Sequence, residues 1–145
     1  SKGLQELTCD QQVEERLVSE KPKLVGIYDG RQVEGELREY EFVLKNTGNS
    51  EVCLTNPGHW AALYFKKGAR ILESEIVECP SLVMVKLSKT ADESGVLLRF
   101  NSLLVGESIR LRVLVDGKSA KVNFECRGGG IRQRFKNTVP KGPSS

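Results

Sequence analysis

The strongest constraint on the fold of this chain is an alternation of apolar and polar side chains with a period of two. Residues 37–46 place Tyr40, Phe42 and Leu44 on one face and mostly charged residues on the other. Residues 107–115 repeat the pattern, with aliphatic side chains at every second position. Successive side chains of a strand point to opposite faces of its sheet, so both segments are predicted to be half-buried β-strands.

Shorter segments of this kind fill most of the chain and are separated by turn-forming residues. Strands are predicted at 22–29, 37–46, 61–65, 69–77, 82–87, 96–100, 107–115 and 120–126. We expect Ile71 and Ile76 to point inward and residues 88–95 to form a polar loop. Strands at this spacing, without a long helical pattern, predict an all-β fold, an antiparallel sandwich of about 8–9 strands.

Two Asp-Gly dipeptides, at residues 29–30 and 116–117, predict β-hairpins because this pair favours tight two-residue turns. The N-terminal segment is less clear. A strand over residues 3–9 is favoured, and a short helix is the alternative. The chain therefore divides into residues 1–20, a strand or short helix packing on the sandwich, residues 21–136, the sandwich, and residues 137–145, a flexible tail.

The charge of the chain is concentrated near its C-terminus. The net charge is only +3, which does not by itself predict nucleic-acid binding. No acidic residue follows Glu125, whereas five cations do: Arg127, Arg132, Arg134, Lys136 and Lys141. Phe135 lies among them and is suited to stacking on bases, although an inward anchor on a charge-protected edge strand is the favoured interpretation.

Residues able to support catalysis or metal binding are sparse. The only histidine is His59, and Cys9, Cys53, Cys79 and Cys126 form no C-x-x-C pair. We expect four buried thiols in a reducing compartment, no metal and no cofactor. A small hydrolase that pairs a cysteine with His59 is the least favoured function.

Aromatic and glycine residues supply the remaining candidates. Trp60 and Tyr64, with His59, are suited to a binding spot, although the single tryptophan of a sandwich is more often part of the core. The Gly-Gly-Gly at 128–130, followed by arginines, is suited either to an anion-binding loop or, as favoured, to a bend before a last strand or tail.

Five segments together resemble uncharacterised bacterial immunoglobulin-like sandwich domains. They are KLVGIYDG at 23–30, VLKNTGN at 43–49, ARILESEI at 69–76, LLVGESI at 103–109 and VLVDG at 113–117. Such domains often accompany transmembrane helices or another module. The resemblance implies an immunoglobulin-like fold and assigns no catalytic residues. The NPGHW segment at 56–60 departs from the expected acidic residue before an apolar strand.

We therefore expect a non-enzymatic interaction or ligand-sensing module whose loops at 47–60, 88–95 and 127–136 contact a protein partner or a small ligand. The predicted binding residues are His59, Trp60, Arg127, Arg132, Arg134, Phe135 and Lys136. The alternative is nucleic-acid or anion binding through the basic segment 127–141, which is not favoured. No apolar run approaches the roughly 20 residues of a membrane helix. We expect a cytoplasmic protein, or the soluble domain of a protein whose membrane anchor lies elsewhere.

Overall fold

A computed structural model describes residues 3–17, 27–28, 31–32, 37–66, 68–118 and 121–140, which form strands and no helix. The strands are β1 (Glu6–Arg16), β2 (Ile27–Tyr28), β3 (Arg31–Gln32), β4 (Leu37–Asn46), β5 (Trp60–Tyr64), β6 (Arg70–Glu78), β7 (Val85–Lys89), β8 (Gly95–Phe100), β9 (Ser108–Asp116), β10 (Asn123–Arg127) and β11 (Arg132–Asn137). Most of the predicted strand 22–29 and the turn at 29–30 lie outside the described residues.

Nine of these strands form two sheets, and β2 pairs with β3 alone. The five-stranded sheet has the order β11-β1-β4-β9-β6, and the four-stranded sheet has the order β10-β5-β8-β7. The all-β, sandwich-like prediction is confirmed. β1 is a full member of the larger sheet, so the N-terminal segment is a strand with neighbours on both sides.

The prediction that the sheets are antiparallel is wrong for one pair, because β11 runs parallel to β1, with Arg132 beside Glu6. Gly128, Gly129 and Gly130 all have positive φ, a backbone conformation that favours glycine. This turn carries the chain from the end of β10 in one sheet to the start of β11 in the other. Since β1 starts at the same end of the sandwich, β11 follows it in the same direction.

The core lies between the two sheets and uses the side chains that the alternation predicted to be inward. Tyr40 and Phe42 are fully buried on β4, and the Tyr40 ring lies edge-on to Phe65 with ring centroids 5.0 Å apart. Ile71 is buried, and Ile76 is partly buried against the core. These two positions share a face despite their odd spacing because register shifts interrupt β6.

Two other predictions are wrong. Asp116-Gly117 is not a hairpin turn, because β9 already has β4 and β6 as neighbours and the chain crosses to pair β10 with β5. The strand predicted from residue 82 begins only at Val85. The Asn101 side chain accepts a hydrogen bond from the Met84 N–H and donates one to the Leu82 carbonyl, which holds residues 82–84 as a loop.

Register assigns each connecting loop to one end of the sandwich. The register places the end of β8 and the end of β10 beside the start of β5. The segment after Phe100 crosses directly from one sheet to the other, so β9 begins at the same end of the sandwich. We call this end the loop end; it carries residues 47–59, 79–84, 101–107 and 128–131. The predicted contact loop 47–60 lies mostly there, whereas the predicted loop 127–136 is wrong for all but residues 128–131, because Arg127 ends β10 and residues 132–136 belong to β11. The third, now residues 90–94, lies at the opposite end.

Candidate functional site

Three of the predicted binding residues meet where β5 and β10 reach the loop end. Arg127 pairs with Trp60 across the strands, and its guanidinium carbon lies 5.6 Å from the Trp60 ring centroid, within the range of a cation–π contact. The His59 ring packs on the Gly128 backbone so closely that a Cβ at Gly128 would lie 2.1 Å from His59 Cδ2. Residues distant in sequence therefore form one corner.

Trp60 belongs to the outer surface of the four-stranded sheet and not to the core. Ala61 and Leu98 are paired core residues, so their neighbours Trp60 and Arg99 point outward in the same cross-strand row. Lys86 pairs with Arg99 and continues that row on β7. Trp60 and Arg99 are partly exposed, whereas Lys86 and Arg127 are exposed.

We call the surface formed by Trp60, Tyr64, Lys86, Arg99 and Arg127 the aromatic–basic face. Within the described part of the chain, no carboxylate forms an ion pair with its three cations. The Arg99 guanidinium donates instead to the Pro57 carbonyl at 2.6 Å. Glu125 lies on the same surface, in the next row, opposite Ala62.

The other predicted residues lie on β11, at the edge of the five-stranded sheet. The Glu6 carboxylate, which is largely buried, lies 3.6 Å from Arg132 Nε and 3.3 Å from Arg134 Nε. Lys136 is exposed beside Asp10 in the register. Phe135 lies beside the buried Cys9 and remains 37% exposed. The predicted residues thus form two separate groups, one on each sheet.

A third surface consists of apolar side chains at the tips of two loops. Leu82 is 86% exposed, Met84 71%, Leu104 51% and Val105 52%. We call these four residues the apolar tips. Asn101 bonds to the loop that carries Leu82 and Met84, and the following residues 102–107 carry Leu104 and Val105.

The same two loops line a groove of about 340 Å³. Its charged lining residues are Glu78, Glu107 and Arg110. Glu107 accepts a hydrogen bond from the Leu104 N–H at 2.8 Å, which braces the second loop. Arg110 donates to Gln12 at 3.0 Å. The groove therefore presents a mixed-charge lining, with one carboxylate in excess, next to the two loops that carry the apolar tips.

Sequence reasoning missed the apolar tips because residues 82–84 continue an apolar run that reads as a strand. It also missed Arg99 and Lys86, which are distant in sequence from Trp60. The alternation in both segments does indicate that these two cations point outward. Their alignment with Trp60 in one row depends on the pairing of β5 with β8 and of β8 with β7, which no local pattern encodes.

All four cysteines are free thiols, but the expectation that all four are buried is wrong, since Cys53 is exposed. Burial raises the pKa of Cys9 and raises the pKa of Cys126 to about 12. The pKa of Cys53 is also raised, by desolvation and by the Glu51 carboxylate to which its thiol donates. A nucleophilic cysteine needs the opposite shift, toward the thiolate.

The described residues form neither a metal site nor a membrane-spanning helix. No group of three or more His, Cys, Asp or Glu side chains is arranged to hold a metal ion there. Nor does that part of the chain include a helix with the length and apolar character needed to span a membrane. Comparison of the chain with family models, curated proteins and solved structures gave no match.

Proposed function

We propose that this chain is a non-enzymatic protein-interaction module with an immunoglobulin-like fold, which binds a partner protein through its loop end. The observation that carries the proposal is the cluster of apolar tips, four large apolar side chains that are half or more exposed on adjacent loops. Single exposed apolar residues are ordinary, but several of them on two neighbouring loops are typical of an interaction surface.

Strand order supports the immunoglobulin-like part of the proposal. An immunoglobulin domain of the constant type has strands A, B, E and D in one sheet and C, F and G in the other. With β1, β4, β5, β6, β9 and β10 taken as strands A to F, the orders β1-β4-β9-β6 and β5-β10 match. The chain departs from this pattern in two places: β7 and β8 form an extra hairpin beside β5, and β11 joins the first sheet.

The chemistry of the loop end favours a protein segment that combines large apolar side chains with a basic residue. Leu82, Met84 and Leu104 provide the apolar contact, and the unbranched Met84 thioether adapts to differently shaped partners. In the groove lined by the same two loops, Glu78 and Glu107 outnumber Arg110, so a Lys or Arg of a partner would find a carboxylate there.

A displayed-peptide library selected on the immobilised chain tests this proposal, followed by calorimetry with the purified selected peptides. We expect enrichment of peptides that carry large apolar residues next to Lys or Arg. Burial of apolar surface should give binding with a negative heat-capacity change. Leu82→Ser and Leu104→Ser should each weaken binding roughly tenfold or more, because central apolar contacts dominate interfaces.

Leu17→Ser is the matched control, because Leu17 is 37% exposed at the opposite end of the sandwich. Its peptide affinity should equal that of the unmodified chain. Peptides that bind all three variants equally would contradict the proposed surface. Sedimentation at several concentrations adds a second check, since dimerisation that is lost in Leu82→Ser would identify a second copy of the chain as the occupant.

The basic segment 127–141 is less suited to the alternative function of anion binding. Arg132 and Arg134 share the Glu6 carboxylate. These contacts support the interpretation of β11 as a charge-protected edge strand. On the other sheet, Lys86, Arg99 and Arg127 have no such carboxylate partner among the described residues.

A further inference from the structure

We propose that the aromatic–basic face of the four-stranded sheet binds single-stranded nucleic acid. This surface lies on the outside of the sheet and involves none of the apolar tips, so the inference goes beyond the protein-binding function proposed above. It also differs from the basic segment 127–141, of which it uses only Arg127.

The cations of the aromatic–basic face lie in one cross-strand row and repel one another. Arg99 and Lys86 are directly paired across β8 and β7, and like charges in such a pair destabilise a sheet. Arg127 lies on the far side of Trp60 in the same row. Strands are about 4.8 Å apart, so the three cations span roughly 14 Å. An anionic chain laid across the strands would relieve their repulsion.

The two aromatic rings of this face are placed where bases could stack beside the cations. Trp60 lies between Arg127 and Arg99, so a base placed on its ring would have cations on both sides for the neighbouring phosphates. Tyr64 points outward four residues further along β5, about 13 Å away at the rise of a strand. Its ring packs against Gly95, where a Cβ would lie only 2.8 Å from Tyr64 Cδ1.

The combination of rings and cations favours nucleic acid over an acidic protein segment. Binding of single strands combines a positive surface that follows the phosphates with aromatic side chains on which bases stack. Four-stranded sheets that present aromatic side chains in this way occur among RNA-binding domains, which makes the arrangement physically workable. An acidic peptide would satisfy the three cations and leave both rings without a stacking partner.

Trp60 is the only tryptophan of the chain, so its fluorescence reports on this face directly. Titration with a single-stranded oligothymidine of about 12 nucleotides, within the site sizes of known single-strand binders, should quench that fluorescence through stacking. Three phosphate contacts predict a log–log salt slope of about −2, hence a loss of affinity of roughly 20-fold between about 50 and about 200 mM salt.

Substitutions locate the binding surface, with the anisotropy of a labelled oligonucleotide as readout. The double variant Arg99→Gln/Arg127→Gln should reduce the salt slope to about −0.7, the value for one remaining contact. Lys136→Gln removes one charge from the basic segment and should leave the slope unchanged, as should Leu82→Ser at the apolar tips. Circular dichroism of each variant verifies that it is folded.

Three results would overturn the inference. One is the absence of binding at low salt by folded protein. Another is a salt slope that falls in Lys136→Gln and stays constant in the double variant, which would transfer binding to the C-terminal segment. The third is equal affinity and equal Trp60 quenching with polyglutamate, which would identify an acidic polymer as the ligand.

Discussion

The outer faces of the two sheets both carry cations, but these cations differ in whether they form ion pairs with carboxylates. On the five-stranded sheet, Arg112 lies 2.6 Å from Glu75, its register partner on β6, and 2.9 Å from Glu39, which lies diagonally across on β4. On the same sheet, Arg132 and Arg134 both form ion pairs with the single carboxylate of Glu6. On the four-stranded sheet, the described carboxylates form no ion pair with Lys86, Arg99 or Arg127.

This contrast teaches that charge composition alone does not locate a binding surface. The ion-paired cations of the five-stranded sheet contribute to its stability. Their carboxylate partners cancel most of the electrostatic field that they would exert on a ligand. The cations of the four-stranded sheet repel one another, and two of them, Arg127 and Arg99, flank the partly exposed Trp60. The first arrangement contributes to the stability of the fold, and the second is the basis of the nucleic-acid binding proposed above.

The largest expected effect concerns the corner that anchors the aromatic–basic face. In Gly128→Ala the new Cβ would overlap the His59 ring, and φ of +104° is strained for any side chain. We expect a loss of about 2 kcal/mol in the free energy of unfolding, measured with urea, and altered Trp60 fluorescence.

Gly58→Ala is the control for that substitution, because no atom lies within 4 Å of a Cβ there. Its stability should stay within about 0.5 kcal/mol of the unmodified chain. Equal losses in both variants would contradict the close packing of His59 on Gly128 as the cause.

The next effect concerns the carboxylate that unites β1 and β11. The Glu6 side chain is only 9% exposed, and its Oε1 accepts a hydrogen bond from Thr47 Oγ1 at 2.7 Å. Glu6→Gln keeps the shape and removes the charge facing Arg132 and Arg134. Because both guanidiniums are half exposed and screened by solvent, we expect a loss of only about 1 kcal/mol by urea unfolding. A neutral result would show that β11 is held by backbone pairing alone.

A matched pair of substitutions compares the two faces directly. Arg112→Gln removes a cation that has two carboxylate partners and is 40% exposed, so it should cost about 0.5 kcal/mol after allowance for screening. Lys86→Gln removes a cation that faces Arg99, and it should be neutral or stabilising by a few tenths, roughly 0.3 kcal/mol. Equal destabilisation by both, measured as urea midpoints, would remove the contrast between the faces.

The smallest effect concerns the turn that joins β7 to β8 and so bounds the four-stranded sheet. Hydrogen bonds from Thr90, and then from Ser94, lower the pKa of Asp92 to about 2 from 3.8. Since the folded pKa is depressed, these bonds favour the folded state above about pH 3.8 and are lost as the pH falls toward 2.

An NMR titration of the Asp92 carboxyl carbon measures this pKa. Thr90→Val should raise it toward 3.8, because the largest contribution comes from the Thr90 hydroxyl. Thr55→Val at the loop end serves as control and should leave it unchanged. A pKa that remains near 2 in Thr90→Val would assign the shift to Ser94.

Much of the fold follows from the sequence by itself. The alternation in residues 37–46 correctly placed Tyr40, Phe42 and Leu44 in the core, and β4 has the predicted bounds. Such agreement has a physical reason, since the period of a strand is a local property that each segment carries within its own side chains. Trp60 is the informative exception: an aromatic residue was expected in the core, but its parity on β5 points it outward.

Only the tertiary structure decided which strands are neighbours, and the proposed binding surfaces depend on that. Asp116-Gly117 has the residues of a hairpin turn, yet both edges of β9 were already occupied, so the chain crossed to the other sheet. The row that contains Arg127, Trp60, Arg99 and Lys86 likewise exists only once β10, β5, β8 and β7 have paired. Strand pairing is a competition among edges distant in sequence, and its outcome is a property of the whole chain rather than of any segment.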